Sequence, residues 1–217
     1  MHKQNEHDLQ VLAGELSFTE SQLGLLVKYI ELLETWHKKT NLVSTNDLPR
    51  IVGKHIRESL EILHHHLLAE QQTIIDAGSG AGFPGIPVAI LYPDIRMTLV
   101  DSRKVKTLFL QEAVEALGLE NVSVVCQRLE KLALPNNQNS CDLVLARAVA
   151  HLQDLWLWIE PLLKPGGALV AFKGGDLTKE ISALQNKQPN LRIETKPYIS
   201  TPAQDEKILV TVFKKAL

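Results

Sequence analysis

The chain has 217 residues, 45% of them hydrophobic, and a net charge of −2. That is enough apolar material for one sizeable core, which excludes a disordered chain, and near-neutral charge excludes nucleic-acid binding by global charge, so any such affinity needs a local patch. No apolar run reaches the roughly 18 residues of a membrane span; with the polar opening MHKQNEHDLQ, this excludes a membrane helix and a signal peptide and leaves a cytoplasmic location as the expectation.

In chain order, Thr19 and Gln22 form a capping-box pair with Phe18 ahead of it. Leu23, Leu26, Val27, Ile30 and Leu33 then recur at helical spacing, so a helix is expected over 20–38, its end anchored by Trp36. A second helical segment is expected over about 47–66. Between residues 36 and 57, Lys38, Lys39, Arg50, Lys54 and Arg57 stand against a single acid, Asp47, a candidate phosphate-facing patch. His64, His65 and His66 are consecutive. On a regular helix they point in different directions and cannot jointly hold an ion, so no metal site is expected.

Residues 73–87, TIIDAGSGAGFPGIP, organise everything that follows. A β-branched run reads as a buried strand ending at Asp76. Gly78, Gly80 and Gly82 at alternate positions allow a sharp turn and let a ligand approach the backbone. Pro84 and Pro87 suit the first turn of a helix expected over 84–92. The next strand, 95–101, ends at Asp101, whose carboxylate can accept from both hydroxyls of a ribose, about 20 residues past the glycines. A helix over 102–117 follows, with Val105, Leu108, Phe109, Ala113, Val114 and Leu117 facing inward and Gly118 as its stop. Strands are expected at 122–126 and 142–146, with a polar turn at 136–139 between them and Arg147 at the tip of the second. A helix over 152–163, carrying Trp156 and Trp158 as packing or rim residues, leads through Lys164-Pro165-Gly166-Gly167 into a fifth strand, ALVAFK. A helix over 176–187 and two antiparallel strands, IETKPYI and KILVTVF, complete the chain. Cys126 and Cys141 stand in no metal-ligand spacing and read as free, buried thiols.

The alternation of strands and helices implies an α/β fold: a mostly parallel, seven-stranded sheet with a reversed C-terminal hairpin. The composition shifts near residue 70, dividing a helical cap (1–70) from the α/β body (71–217). Gly80, Gly82 and Gly85 match GxGxxG, which alone would suit NAD and an oxidoreductase. Asp76 before the glycines, Gly-Phe-Pro at the helix start and the reversed hairpin all speak against that reading.

These features resemble the Rossmann-like S-adenosylmethionine-dependent methyltransferases. DAGSGAGFPGIP, TLVDSRKVKTLFL, ARAVAHL, PLLKPGG and AFKG, in this order, with Trp36 to Leu42 and KHIRESL at 54–60 ahead of them, are similar to the bacterial 16S ribosomal RNA guanine-N7 methyltransferase family, also called glucose-inhibited division protein B. The resemblance covers about residues 18–214. It implies S-adenosyl-L-methionine as cofactor and 16S ribosomal RNA or the small ribosomal subunit as partner. It implies cofactor contacts at Gly78 and Phe83 in the glycine turn, with Gly80 in the same motif, at Leu129 and Glu130 after the third strand, and at Arg147; Asp101 is similar to the ribose-binding acid of the wider class. The family pattern has Trp-Asn where this chain has Trp36-His37, and His-x-x-Asp-Ser where it has His55-Ile56-Arg57-Glu58-Ser59, which leaves His37 and Glu58 without an assigned role. No catalytic side chain is expected, because guanine N7 carries no proton for a base to remove. Arg147 and Lys173, at neighbouring strand tips, are candidates to face the target base. The competing classes are an NAD-dependent oxidoreductase, a small-molecule methyltransferase and a non-enzymatic RNA-binding protein; a monomer is the default.

Overall fold

The structure, a computed structural model, describes residues 1–132, 137–200 and 205–216. Its sheet has the strands β1 (Thr73–Ala77), β2 (Arg96–Asp101), β3 (Val122–Cys126), β4 (Cys141–Arg147), β5 (Leu163–Gly174), β6 (Arg192–Ser200) and β7 (Asp205–Phe213). They lie in the order β3-β2-β1-β4-β5-β7-β6. β1 to β5 run parallel, and β7 is antiparallel to both β5 and β6. Strand order therefore reverses between β1 and β4, and a crevice opens at the carboxyl ends of such neighbours.

Alternate residues of each strand feed two cores, as a period of two requires. Ile74, Leu99, Leu143, Leu145 and Val170 face one side. Ile75, Val100, Val144, Ala146, Leu169 and Ala171 face the other, where Leu155, Trp156 and Ile159 of α6 (Leu152–Ile159) and Leu184 of α7 (Thr178–Lys187) cover them. The first side is covered by α4 (Gly85–Leu91), α5 (Lys104–Leu117) and the N-terminal helices.

α2 (Glu20–His37) begins at Thr19 with the full capping box: Gln22 N–H reaches the Thr19 hydroxyl, and the Gln22 side chain accepts from Thr19 N–H. Trp36, near its end, meets the edge of Phe109 at 5.7 Å between ring centroids. A helix over Lys3–Leu16 (α1) precedes it. The polar composition of the first ten residues conceals it, since only Leu9, Leu12 and Asn5 are buried. Asn5 is fully paired there, donating to the Leu48 carbonyl and accepting from Val52 N–H.

The segment expected as one helix over 47–66 is instead a chain of short pieces. A 3₁₀ turn (Thr45–Arg50) passes into a π-helical turn (Ile51–Ile56), the α-helical turn α3 (Arg57–Leu60) and another 3₁₀ turn (Glu61–His65). Pro49 sits inside the first 3₁₀ turn, and wide π-helical turns such as Ile51–Ile56 cluster at functional sites.

Two further expectations are corrected. Val105 and Leu108 face solvent, 50% and 46% exposed, because the buried stripe of α5 runs through Thr107, Leu110, Ala113 and Leu117, and both residues lie on the opposite flank. Cys126 is exposed rather than buried: it ends β3, the edge strand, whereas Cys141 is enclosed. The polar turn expected at 136–139 falls partly on Asn136, outside the described residues.

Candidate functional site

The glycine turn leaves β1 at the point where strand order reverses. Gly78 has φ +71°, and a Cβ built there would stand 2.8 Å from a methyl of Val149. Ser79 stitches the turn to β2. Its N–H donates to the Val100 carbonyl, its hydroxyl donates to the Asp76 carbonyl, and that hydroxyl accepts from Val100 N–H. The turn is thus anchored on its two neighbouring strands before any ligand arrives.

Asp76 is fully buried beneath it. One carboxylate oxygen accepts from Gly85 N–H at 3.0 Å; the other has no partner among the described residues. Burial pushes its pKa up to about 7, against the pull of the Gly85 hydrogen bond, the nearby Ser79 hydroxyl and the more distant Arg147. Gly85 is required at this point: a Cβ would meet Leu99 and the Asp76 carboxylate. The first N–H of α4 is therefore occupied by a carboxylate, in the place where a dinucleotide pyrophosphate would dock.

Two chambers of about 200 Å³ each meet at Gly78. Asp101, Ser102, Gln127, Arg128, Leu129, Glu130, Val149 and Trp158 line the first. Asp101 is fixed there by N–H donors from Gly80 (3.0 Å) and Arg103 (2.8 Å), one to each oxygen, and lone pairs remain for a ligand. The second chamber is lined by Gly80 and Phe83 of the turn, Lys106, Arg147, and residues from the N-terminal part, including Leu42, Ser44, Asp47 and His55. All seven residues expected at the cofactor site thus line one pair of adjoining spaces: Asp101, Leu129 and Glu130 the first, Gly80, Phe83 and Arg147 the second, and Gly78 both.

Arg147 is held on several sides. One guanidinium nitrogen donates to Glu58 Oε2 at 2.8 Å, another to His55 Nδ1 at 3.0 Å, and its carbon lies 5.3 Å from the centre of the Phe83 ring. The His55 ring stacks on Phe83 at 5.1 Å. Burial, reinforced by the Arg147 charge and opposed by Asp47, pushes the His55 pKa down to about 3, so the imidazole is neutral, with Nδ1 as acceptor. Asp47 lies 3.4 Å from its other nitrogen. Burial raises the Asp47 pKa, but the hydrogen bond and charge of Lys54, with the charge of Arg50, outweigh it and hold the carboxyl below the usual range.

Sequence reasoning missed part of this. Glu58 and His55 carry no signal alone, because their partner, Arg147, is about ninety residues away; three-residue spacing toward one face is the trace they leave. Trp158 lines the first chamber while Trp156, two residues earlier, is in the core. Lys173, a candidate to face a base, instead donates to the Ala150 carbonyl and to Glu180, because α7 brings a carboxylate to the tip of β5. The patch at 36–57 is also smaller than its charge count: Arg50 and Lys54 pair with Asp47 and Arg57 with Glu15, while Lys38 and Lys39 are exposed and form no ion pair among the described residues.

Among known proteins, residues 22–209 match the family model described as rRNA small subunit methyltransferase G (GidB). The chain is 36% identical to the "Ribosomal RNA small subunit methyltransferase G" of Neisseria meningitidis serogroup B, over 94% of this chain and 95% of that one. It is 39% identical to the protein of the same name from Chlorobaculum tepidum, over 82% of each. Among solved structures, the precorrin-6y C5,15-methyltransferase of Geobacter metallireducens shares the fold with a TM-score of 0.56, at 15% identity over 81% of this chain and 92% of that one.

Proposed function

The chain belongs to the rRNA small subunit methyltransferase G family, and from that premise we propose that it methylates guanine N7 in 16S ribosomal RNA of the small ribosomal subunit, using S-adenosyl-L-methionine. The observation that carries the reading is the pair of chambers that share Gly78. Both are lined by it, a Cβ there would clash with Val149, and together they reach the few hundred Å³ of a small-ligand site. Asp101 would take the ribose hydroxyls, with Leu129, Glu130 and Trp158 around the adenine, and the guanidinium of Arg147 would meet the amino-acid end. An NAD site is disfavoured by the Asp76–Gly85 bond, which occupies the pyrophosphate position.

Bound there, S-adenosylmethionine supplies a sulfonium methyl already activated for displacement. Guanine N7 brings a lone pair and no proton, so the chain's task is to hold the base in line with the leaving sulfur. The second chamber suits that economy. His55, held to about 3, is too weak a base to take a proton near neutrality, and Asp47 is engaged by Lys54. N7 lies on the Hoogsteen edge, and the deep major groove of an RNA duplex is closed to side chains, so the target is a loop or splayed base. Lys38 and Lys39, with Arg103 and Lys104 at the start of α5 and Arg128 on the lining of the first chamber, are exposed cations suited to the surrounding phosphates, and residues 1–70 form the RNA-facing cap. The chain acts as a cytoplasmic monomer in this reading.

Incubation with methyl-labelled S-adenosylmethionine and small subunits lacking the modification, followed by digestion to nucleosides, tests it. Label recovered as 7-methylguanosine is the expected result. Label in another nucleoside, or turnover on a small metabolite without RNA, would overturn the assigned substrate.

A further inference from the structure

Arg147 reaches the second chamber only by way of residues from elsewhere in the chain. Glu58 Oε2 accepts from one guanidinium nitrogen at 2.8 Å, while Glu58 Oε1 accepts from the Tyr198 hydroxyl at 2.9 Å. Glu58 is therefore held at both oxygens, one by β4 and one by β6. His55 Nδ1 takes a second guanidinium nitrogen, and its ring stacks on Phe83, which lies on the turn itself. Both members of the Arg147–Glu58 pair are mostly enclosed, at 15% and 12% side-chain exposure, so solvent screens the pair little. A guanidinium has five N–H donors in a rigid fork, and these two contacts fix its plane while donors remain for a ligand.

We infer that Glu58, with His55, is a positioning residue that sets the plane of the Arg147 guanidinium in the second chamber, so that the N-terminal segment helps to build the cofactor site. The inference rests on the reading that this chamber holds the amino-acid end of S-adenosylmethionine. Without Glu58 the guanidinium keeps only the His55 contact and the Phe83 face, and the rotamer freedom it gains and must lose on binding weakens the complex. Glutamine at position 58 retains an oxygen for the Arg147 N–H and a group for the Tyr198 hydroxyl, so the geometry, rather than the charge, is what the chamber needs.

The test is a double-mutant cycle read by calorimetry with S-adenosylhomocysteine, with thermal melting of each variant as a check on folding. Glu58→Ala and Arg147→Ala each weaken binding by about tenfold or more, Glu58→Gln stays within about threefold of wild type, and the double variant Glu58→Ala/Arg147→Ala binds no more weakly than Arg147→Ala alone. Should Glu58→Ala fail to fold, Tyr198→Phe with Glu58→Gln carries the cycle: Tyr198→Phe weakens binding severalfold in the presence of Arg147 and not in its absence. Wild-type affinity in Glu58→Ala, or additive losses in the double variant, would overturn the positioning role and leave the cofactor site intact. Failure of wild type to bind S-adenosylhomocysteine would overturn the reading of the site and the inference together.

Discussion

The chamber on the Asp101 side takes its lining from the ends of β1, β2 and β3, the loops that follow them, Val149 after β4, and Trp158 of α6, whereas the chamber on the Arg147 side borrows Leu42, Ser44, Asp47 and His55 from a segment before the sheet begins. In the first, each functional residue follows its own strand at a short interval, and the parallel sheet alone brings them together. In the second, a guanidinium at a strand tip meets a carboxylate and an imidazole about ninety residues away, on irregular turns. A nucleotide-binding half can be repeated across a fold class with local chemistry. The half that presents a reactive group to a particular substrate is assembled from what is specific to the chain.

Gly78, shared by both chambers, is where the largest loss is expected. Gly78→Val places a β-branched side chain at φ +71° and against Val149, so calorimetry with S-adenosylhomocysteine should show binding weakened by about 100-fold or more. The comparison sharpens on the RNA side: charge reversal of Lys38 and Lys39 together should lower RNA methylation by about tenfold while leaving S-adenosylhomocysteine affinity within about twofold, because neither residue lines a chamber. Lys54→Glu would confuse the result, since it faces Asp47 across a 2.8 Å ion pair.

Buried titratable groups under the two chambers pull stability in opposite directions with pH. Asp76, at about 7 in the fold against 3.8 in the unfolded chain, is protonated when folded and ionised when unfolded between those values. The unfolded chain then binds fewer protons, so this contribution is present below about pH 4 and lost as pH rises to about 7. His55, at about 3 in the fold against 6.5, contributes above pH 6.5 and loses it as pH falls. Asp76→Asn keeps an oxygen for Gly85 N–H, so its stability relative to wild type should rise steadily from pH 4 to pH 7 and level off beyond, as read from chemical denaturation at each pH. His55→Asn should gain on wild type in the opposite sense, as pH falls below 6.5. The smallest effect is chemical: one thiol, Cys126, should react rapidly with a thiol reagent in the native protein. Cys141, enclosed and pushed up to about 12 chiefly by burial, with Asp142 adding to it, should react only on unfolding.

How much of this was legible in the sequence follows the same division. Nearly continuous apolar runs at 73–77, 96–101 and 141–147, a glycine turn after the first and an antiparallel pair at the end give the sheet, because local pattern and tertiary burial agree there. Asp101 and the glycines were legible for the same reason. α1 was not, since a helix that buries two leucines and an asparagine has almost no apolar stripe. The broken turns at 45–65 were not, because wide and tight turns share one composition with an α-helix and differ only in hydrogen-bond register. The role of Glu58 was invisible until Arg147 and Tyr198 were brought to it by a sheet folded from residues far down the chain.

A crystal structure of the protein grown with S-adenosylhomocysteine tests the central claim most directly. The account predicts one ligand spanning the Gly78 junction, its ribose on Asp101, its adenine beside Leu129 and Trp158, and its carboxylate within hydrogen-bond reach of Arg147. A ligand confined to one chamber, or seated away from the glycine turn altogether, would contradict it.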